Sequence, residues 1–464
     1  MKAVQDIPDV TDRSVAGVPV RGTRAIVVGM GRSGIAAARL LARSGAEVLM
    51  LDDQKEALPS FAQPPGSPIQ FRLGAWKEED FLFAGIVVVS PGVPLAKLPV
   101  QRLRERNIPL IGELEWAATC LAAPILAITG TNGKSTTTTL VGEMLKSAGW
   151  RVFTGGNLGT PLCEAVGSDW DFIVAEVSSF QLETVSQFRP RIAALLNMTP
   201  DHLDRYPDMA SYRQAKWRLF AHQTDKDHAI LNADDPQSFP PTGAGHPIFF
   251  SRTHIPERGL YLRHGEICSN LWGREEHVVK VAALSIKGAH NVENSMAATA
   301  IALLCSVPIE AVRQVLTHFR GLPNRMEWVR TVRGAQYIND SKGTNVGAVL
   351  KSLEGMTAPV ILIAGGKAKG CDVTPLQEMV RKKVKRLILL GEAAEQMTQT
   401  LSTAMGASQI EQVDSMDAAV QRAAALTAPG DVVLLSPTCA SFDMFRDYQD
   451  RGDCFKRAVA ALSP

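Results

Sequence analysis

The chain has 464 residues, 45% hydrophobic and 21% charged, with a formal net charge of +2. This is an ordinary globular composition of a length that suits about three domains, and its balance of charge gives no ground for nucleic-acid or membrane-surface binding. No apolar run reaches the roughly 18 residues of a membrane span, and the seven scattered cysteines form no C-x-x-C pair, which reads as free thiols in a reducing cytoplasm.

The N-terminal stretch carries Asp6, Asp9 and Asp12 and lacks the apolar core of a signal peptide. A strand is predicted at Arg24–Val28, then a glycine turn, Gly29-Met30-Gly31-Arg32-Ser33-Gly34, a helix to about Arg43, and a strand Glu47–Leu51 ending at Asp52-Asp53. A G-x-G-x-x-G turn with an acidic residue about 20 positions on fits a Rossmann site, for a dinucleotide or for a nucleotide sugar on the same scaffold. The four-proline stretch at 59–68 reads as a loop, and the strand Ile86–Val89 runs into Ser90-Pro91-Gly92, where an open α/β sheet places its ligand.

The second segment starts near Glu113. The buried strand Pro124–Ile128 leads through Gly130-Thr131-Asn132-Gly133-Lys134-Ser135-Thr136 into a helix read from Thr137 to Leu145. Strand, glycine-rich turn and helix N-terminus make an anion site, with the lysine on phosphate and the Ser135 hydroxyl on Mg²⁺. The loop is shorter than the standard pattern, which needs a glycine where Ile128 stands. Two later strands end in polar tips, Phe172–Ala175 in Glu176-Val177-Ser178-Ser179 and Ile192–Leu196 in Asn197-Met198-Thr199-Pro200-Asp201-His202, as in a parallel sheet with its site along one edge. Residues 242–280 read as loops and short strands, and helices follow at His290–Ser306, whose apolar run from Met296 is a buried face, and at Ile309–Phe319.

The third segment starts near Leu322-Pro323. Strands at Gln336–Ile338, Val360–Ala364, Arg386–Leu390 and Asp431–Leu435 alternate with helices at Val346–Leu353, Asp417–Leu426 and from Phe442 towards the C-terminus, a smaller doubly wound domain. The expected fold class is therefore α/β in three domains: a Rossmann-like domain over 1–112, a central ATP-binding mononucleotide fold with a parallel sheet over 113–321, and a doubly wound domain over 322–464.

The phosphate loop, Glu176–Ser179, the Asn197–His202 tip, His290-Asn291-Val292-Glu293-Asn294, Leu322–Glu327 and Asn339–Asn345 together resemble the Mur ligases, ATP-dependent amino-acid ligases of peptidoglycan synthesis. Within that family, the spacing from His202 to Lys216, the stretch Ser436–Asp443 and the missing Asp-Asn-Pro-Arg motif resemble the members that join D-glutamate to UDP-N-acetylmuramoyl-L-alanine. The resemblance implies ATP and Mg²⁺, a cytoplasmic setting, a monomer, and no nucleic-acid or membrane partner.

It also implies roles. Gly130, Thr131, Asn132, Gly133, Lys134, Ser135 and Thr136 would hold the triphosphate, with Asn294, Arg325 and Asp340 on the rest of ATP. Glu176, His202, Ser135 and a carbamylated Lys216 would serve Mg²⁺, and Lys134, Glu176, His202 and Lys216 form the catalytic set. Gly29, Arg32, Ser33, Asp52, Asp53, Ser90 and Gly92 would take the uridine nucleotide, and Asn157 the muramoyl part. Thr344, Lys369, Ser441 and Phe442 would face D-glutamate, with Lys367 competing for the place of Lys369.

Read without the family, Lys216 is an exposed helix lysine beside Ala215 and Trp217, Asn291 and Asn294 are helix caps, Asn157 is a turn residue, and Glu176 is a solvated strand end. Three rivals stay open: a folylpolyglutamate synthase, which shares the ATP site; a NAD-dependent oxidoreductase built on Gly29–Gly34; and a nucleotide-regulated binding protein without chemistry.

Overall fold

The computed structural model describes residues 14–15, 18–53, 69–202, 205–240, 243–367 and 372–463. The acidic N-terminal stretch, the proline loop at 59–68 and Lys369 lie outside them. Contacts gather the described residues into two compact units. The first holds the N-terminal and central sheets, and the second holds the C-terminal sheet with residues 199–202 and 281–292.

In the first unit, β1 (Arg24–Val28), α1 (Arg32–Arg43), β2 (Glu47–Asp52), β3 (Ile69–Leu73), β4 (Ile86–Val89), α2 (Val100–Glu105) and β5 (Leu110–Gly112) follow one another. The five strands pair in parallel in the order β3-β2-β1-β4-β5. Helix α1 buries Ala36, Ala37, Ala38, Leu40 and Leu41, and the three alanines let it lie close on the sheet. At its start, a Cβ on Gly34 would collide with the Gly29 carbonyl, so the turn admits only glycine there.

Helix α3 (Glu113–Cys120) leads into β6 (Ile125–Thr129), α4 (Lys134–Ser147), β7 (Val152–Gly156), β8 (Phe172–Glu176), α5 (Ser179–Leu182), β9 (Ile192–Leu195), α6 (Met209–Trp217) and β10 (His228–Asn232). Strands β11 (His246–Ser251), β12 (Gly259–Arg263), β13 (Glu266–Ser269) and β14 (Glu276–Lys280) complete a sheet ordered β14-β13-β12-β11-β10-β9-β6-β8-β7. It is parallel from β7 to β12 and antiparallel beyond. The stretch expected to be loops and short strands thus extends the central sheet. Strand β6 is buried along its whole length, as a central parallel strand covered on both faces must be. Its register sets Gly156 opposite Glu176, Glu176 opposite Ile128, and Leu195 opposite Thr129. The polar tips therefore line up along one edge. Helix α4 starts at Lys134, three residues before the expected start at Thr137. Helices α7 (Ala289–Leu304) and α8 (Ile309–His318) follow.

In the second unit, β15 (Glu327–Val332), β16 (Ala335–Asn339), α9 (Val346–Glu354), β17 (Val360–Gly365), α10 (Gln377–Lys383), β18 (Val384–Leu390), α11 (Ala394–Leu401), β19 (Ile410–Gln412), α12 (Met416–Leu426), β20 (Val432–Thr438) and α13 (Tyr448–Ala460) form a sheet and its helices. The strand order is β15-β16-β20-β17-β18-β19, with only β15 antiparallel among the described strands of this sheet. The last helix starts at Tyr448 and not at Phe442. Asp447 caps it by accepting from Asp450 N at 2.8 Å, and the preceding residues turn.

Candidate active site

The first unit contains a cavity of about 430 Å³ lined by Gly29, Gly31, Arg32, Ser33, Asp52, Asp53, Ser90 and Gly92 on one side and by Gly156, Asn157 and Gln181 on the other. It joins the N-terminal glycine turn to the tips of the central sheet. Asp52 Oδ2 accepts from Met30 N at 2.6 Å and Ser90 Oγ donates to the Gly29 carbonyl at 3.0 Å, which fixes the turn. Asp53 pairs with Lys97 at 2.6 Å.

At the far side, Asn157 Nδ2 donates to Glu176 Oε1 at 2.5 Å. Glu176 is 3% exposed, so it is not a solvated strand end. Its Oε2 is buried with no hydrogen-bond partner among the described residues. A buried, half-satisfied carboxylate is costly unless something cationic completes it. Ser135, also buried, adds a hydroxyl oxygen at the start of α4. These oxygen donors fit Mg²⁺, which is commonly held by one or two carboxylates together with substrate phosphates. Among the described residues no three His, Cys, Asp or Glu side chains cluster as a self-sufficient metal cage.

The phosphate loop joins β6 to α4. Gly133 takes φ +87° as the helix N-cap, and a Cβ there would collide with Asn294 Oδ1. Asn294 is 4% exposed and sits within α7, where it accepts from Thr137 Oγ1 at 3.4 Å. It faces the loop and does not cap its own helix. Lys134 Nζ folds back onto the Gly130 and Thr131 carbonyls at 2.9 and 2.8 Å.

Lys216 is 1% exposed, the reverse of the family-free reading. Its Nζ donates to the Gly130 carbonyl at 3.0 Å and to Thr129 Oγ1 at 3.4 Å, and lies 4.8 Å from the centre of the Tyr212 ring. Helix α6 thus brings this amine to the base of the phosphate loop. Nothing in the local pattern signalled it, because Ala215 is buried but Trp217 is only half-buried.

One residue that the sequence left without a role stands out. Asn197, at the tip of β9, accepts from Asn132 N through Oδ1 at 2.9 Å, donates from Nδ2 to the Asn132 carbonyl at 3.0 Å, and accepts from Thr131 N on its own carbonyl at 3.0 Å.

The second unit holds His202, Arg325, Asp340, Thr344, Ser441 and Phe442. His202 has φ +55°, and the preceding Asp201 accepts from Asn345 Nδ2 at 3.1 Å. Asp340 is buried, and its Oδ2 accepts from Ser352 Oγ and Ser436 Oγ, both at 2.8 Å. Burial pushes its carboxyl up to about 6, against these hydrogen bonds and the nearby Arg325 charge. The buried Arg451, which the sequence reading passed over, donates to the Cys439, Ala440 and Ser341 carbonyls and so draws two loops together. Ser441 is buried, Phe442 is 67% exposed, and Lys367 N bonds the Ala440 carbonyl at 2.9 Å. Thr344 N donates to the Lys342 carbonyl at 2.8 Å.

Three domain models match in order: a Mur ligase MurD-like N-terminal domain over residues 23–112, a Mur ligase middle domain over 128–302, and a Mur ligase glutamate ligase domain over 324–439. The UDP-N-acetylmuramoylalanine–D-glutamate ligase of Geotalea uraniireducens (strain Rf4) is 45% identical over 443 residues, 94% of this chain and 97% of that one. The chain belongs to the Mur ligase family. The enzyme of the same name from Syntrophotalea carbinolica is 45% identical over 95% of this Mur ligase and 98% of its own length. The fold matches a pseudomurein peptide ligase type C from Methanothermus fervidus, at 18% identity with a TM-score of 0.61 over 95% of this Mur ligase and 100% of that chain. It also matches a UDP-N-acetylmuramate–alanine ligase from Thermotoga maritima, at 17% identity with a TM-score of 0.60 over 95% and 100%. The glycine turn lies inside the MurD-like domain of this Mur ligase, so the dinucleotide reading of Gly29–Gly34 gives way.

Proposed function

We propose that this Mur ligase joins D-glutamate to UDP-N-acetylmuramoyl-L-alanine with ATP, giving ADP and phosphate, in cytoplasmic peptidoglycan precursor synthesis. The observation that carries the proposal is the near-full-length likeness to ligases of that name. The cavity running from the glycine turn to the Asn157–Glu176 pair supports it, because a long nucleotide substrate needs such a path. Among the described residues no helix is long and apolar enough to cross a membrane. Domains over 1–112, 113–321 and 322–464 and a monomeric state belong to this reading.

In the proposed reaction the alanyl carboxylate takes the γ-phosphoryl group of ATP. The amine of D-glutamate attacks the acyl carbon, phosphate leaves with the C–O bond electrons, and the amine loses a proton as the amide forms. Catalysis then rests on positioning and on fixed positive charge. Gly29, Arg32, Ser33, Asp52, Asp53, Ser90 and Gly92 hold the uridine nucleotide, and Asn157 directs the muramoyl part toward Glu176. Lys134 exchanges its two carbonyl partners for phosphate oxygens. The N–H groups of Thr131 and Asn132 are already engaged by Asn197, so these residues shape the loop, and the triphosphate meets the helix N-terminus that begins at Lys134. Asn294, Arg325 and Asp340 serve the nucleoside end, with Asp340 acting through the turn it organises.

Glu176, Ser135, His202 and a carbamylated Lys216 would hold Mg²⁺, which when bound neutralises phosphate charge. Thr344, Lys369, Ser441 and Phe442 receive D-glutamate. The test is phosphate release across a panel of muramoyl nucleotides and amino acids. Turnover requires ATP, Mg²⁺, the muramoyl-L-alanine nucleotide and D-glutamate together, and equal or better turnover with L-alanine or a diamino acid would overturn the assignment.

A further inference from the structure

We propose that Asn197 is a positioning residue that holds the phosphate loop in its nucleotide-accepting shape before any nucleotide arrives. The inference rests on the reading of Gly130–Thr136 as the ATP site.

The loop between β6 and α4 contains Gly130 at φ +151° and Gly133 at φ +87°. Glycine gives the chain access to these angles, and it also gives the loop the most conformations to lose when it is fixed. A loop free to wander would bind nucleotide only in the fraction of time it spends in the right shape, and its apparent affinity would fall by that fraction. Something outside the loop must therefore restrict it.

The neighbouring strand β9 supplies the restraint. Its tip residue Asn197 makes three hydrogen bonds, at 2.9 to 3.0 Å, to the two consecutive loop residues Thr131 and Asn132. Two of them form a reciprocal pair in which the side-chain amide mates with the N–H and C=O of Asn132. A carboxamide carries an acceptor and a donor side by side, as a peptide group does, whereas an aspartate has no donor for the carbonyl. The loop is also packed against this tip: a Cβ on Gly130 would lie 3.1 Å from Leu196 Cβ and 3.4 Å from Asn197 N. On its other flank, Asn294 closes on Gly133. Asn197 spends its polar atoms on the loop and acts on the nucleotide only through it.

The matched control is Gln223, an equally amide-bearing buried residue near the opposite ends of the same strands. It donates to the Pro190 and His228 carbonyls at 3.2 and 2.9 Å and accepts from Gly245 N at 3.1 Å. The experiment compares the full-length wild type, Asn197→Ala and Gln223→Ala by hydrogen exchange in the absence of nucleotide, by calorimetry with a non-hydrolysable ATP analogue, and by steady-state kinetics.

For Asn197→Ala the expected results are exchange at Asn132, whose N–H loses its side-chain acceptor, faster by about tenfold or more and analogue affinity weaker by about tenfold. The ATP KM rises while kcat and the KM of the muramoyl nucleotide stay within about twofold. Gln223→Ala loses stability but keeps the analogue affinity. Unchanged exchange or unchanged affinity in Asn197→Ala would overturn the proposal, and so would an equal loss of affinity in Gln223→Ala. If the alanine variant does not fold, Asn197→Asp retains the acceptor and loses the donor, and analogue binding as tight as wild type would overturn the proposal in the same way. The exchange and binding arms need no turnover. A wild type that binds the analogue and shows the clamp, but releases no phosphate with D-glutamate, would refute the proposed reaction and leave the clamp standing.

Discussion

Glu113 opens helix α3 in the interior of the first unit, 1% exposed. Its Oε1 accepts from Cys163 N at 2.7 Å, while Oε2 is buried with no hydrogen-bond partner among the described residues. Burial pushes its carboxyl from 4.5 up to about 7, with the Cys163 hydrogen bonds pulling the other way. The folded chain therefore holds a proton that the unfolded chain releases near the ordinary carboxylate range. Stability is full below that range and falls as pH rises toward the folded value, levelling off above it. Glu113→Gln keeps the acceptor for Cys163 N and removes the ionisation. The shift corresponds to a gain in unfolding free energy of about 1 kcal/mol at pH 5.5 and about 3 kcal/mol at pH 8, or about 2 kcal/mol less pH dependence between them. Urea unfolding of wild type and variant at the two pH values measures this. Parallel pH dependence in the two proteins would refute the idea that this carboxyl is neutral in the fold.

Two further outcomes follow from the phosphate loop. Gly133→Ala forces a side chain into φ +87° and against Asn294, so it should lose about 1–2 kcal/mol of unfolding free energy from the backbone angle alone, and Asn294→Ala in the same chain should recover only the collision. Wild-type stability in the single variant would show that the angle is not required. Lys216→Ala should regain part of its lost turnover with added acetate if the residue works as a carbamate, and bicarbonate should not help because the amine is gone. An active Lys216→Arg variant together with no acetate rescue would reject the carbamate.

Much of this molecule is legible in the chain because parallel strands buried on both faces write themselves as apolar runs ending in polar tips. Ile125–Thr129, Phe172–Glu176 and Ile192–Leu195 could be found that way, and so could the edge they share. Edge strands escape the same reading: Ile69–Leu73 alternates exposed polar residues with apolar ones, and Ile410–Gln412 is too short to show a pattern. The helix expected from Phe442 starts later for a local reason, since Asp447 is the residue that caps it. Without the family resemblance, the contacts of Lys216 and Asn197 were out of reach for another. Their partners are Gly130 and Asn132, 86 and 65 residues away in sequence, and no periodicity encodes a contact between one strand tip and the next loop. Asn294 looked like a cap because its type suits one, and only packing places it beside Gly133.

The enclosure of Lys216 has a practical side. Lysine-directed labels built on bulky acyl or aryl groups read the amines that protrude into solvent, and an amine that is 1% exposed lies beyond their reach. A reactivity map of this chain made with such labels would rank its surface lysines first and score Lys216 as silent. It would be blind at a buried amine that sits directly on the phosphate loop, 3.0 Å from the Gly130 carbonyl, where burial and not nucleophilicity decides what reacts.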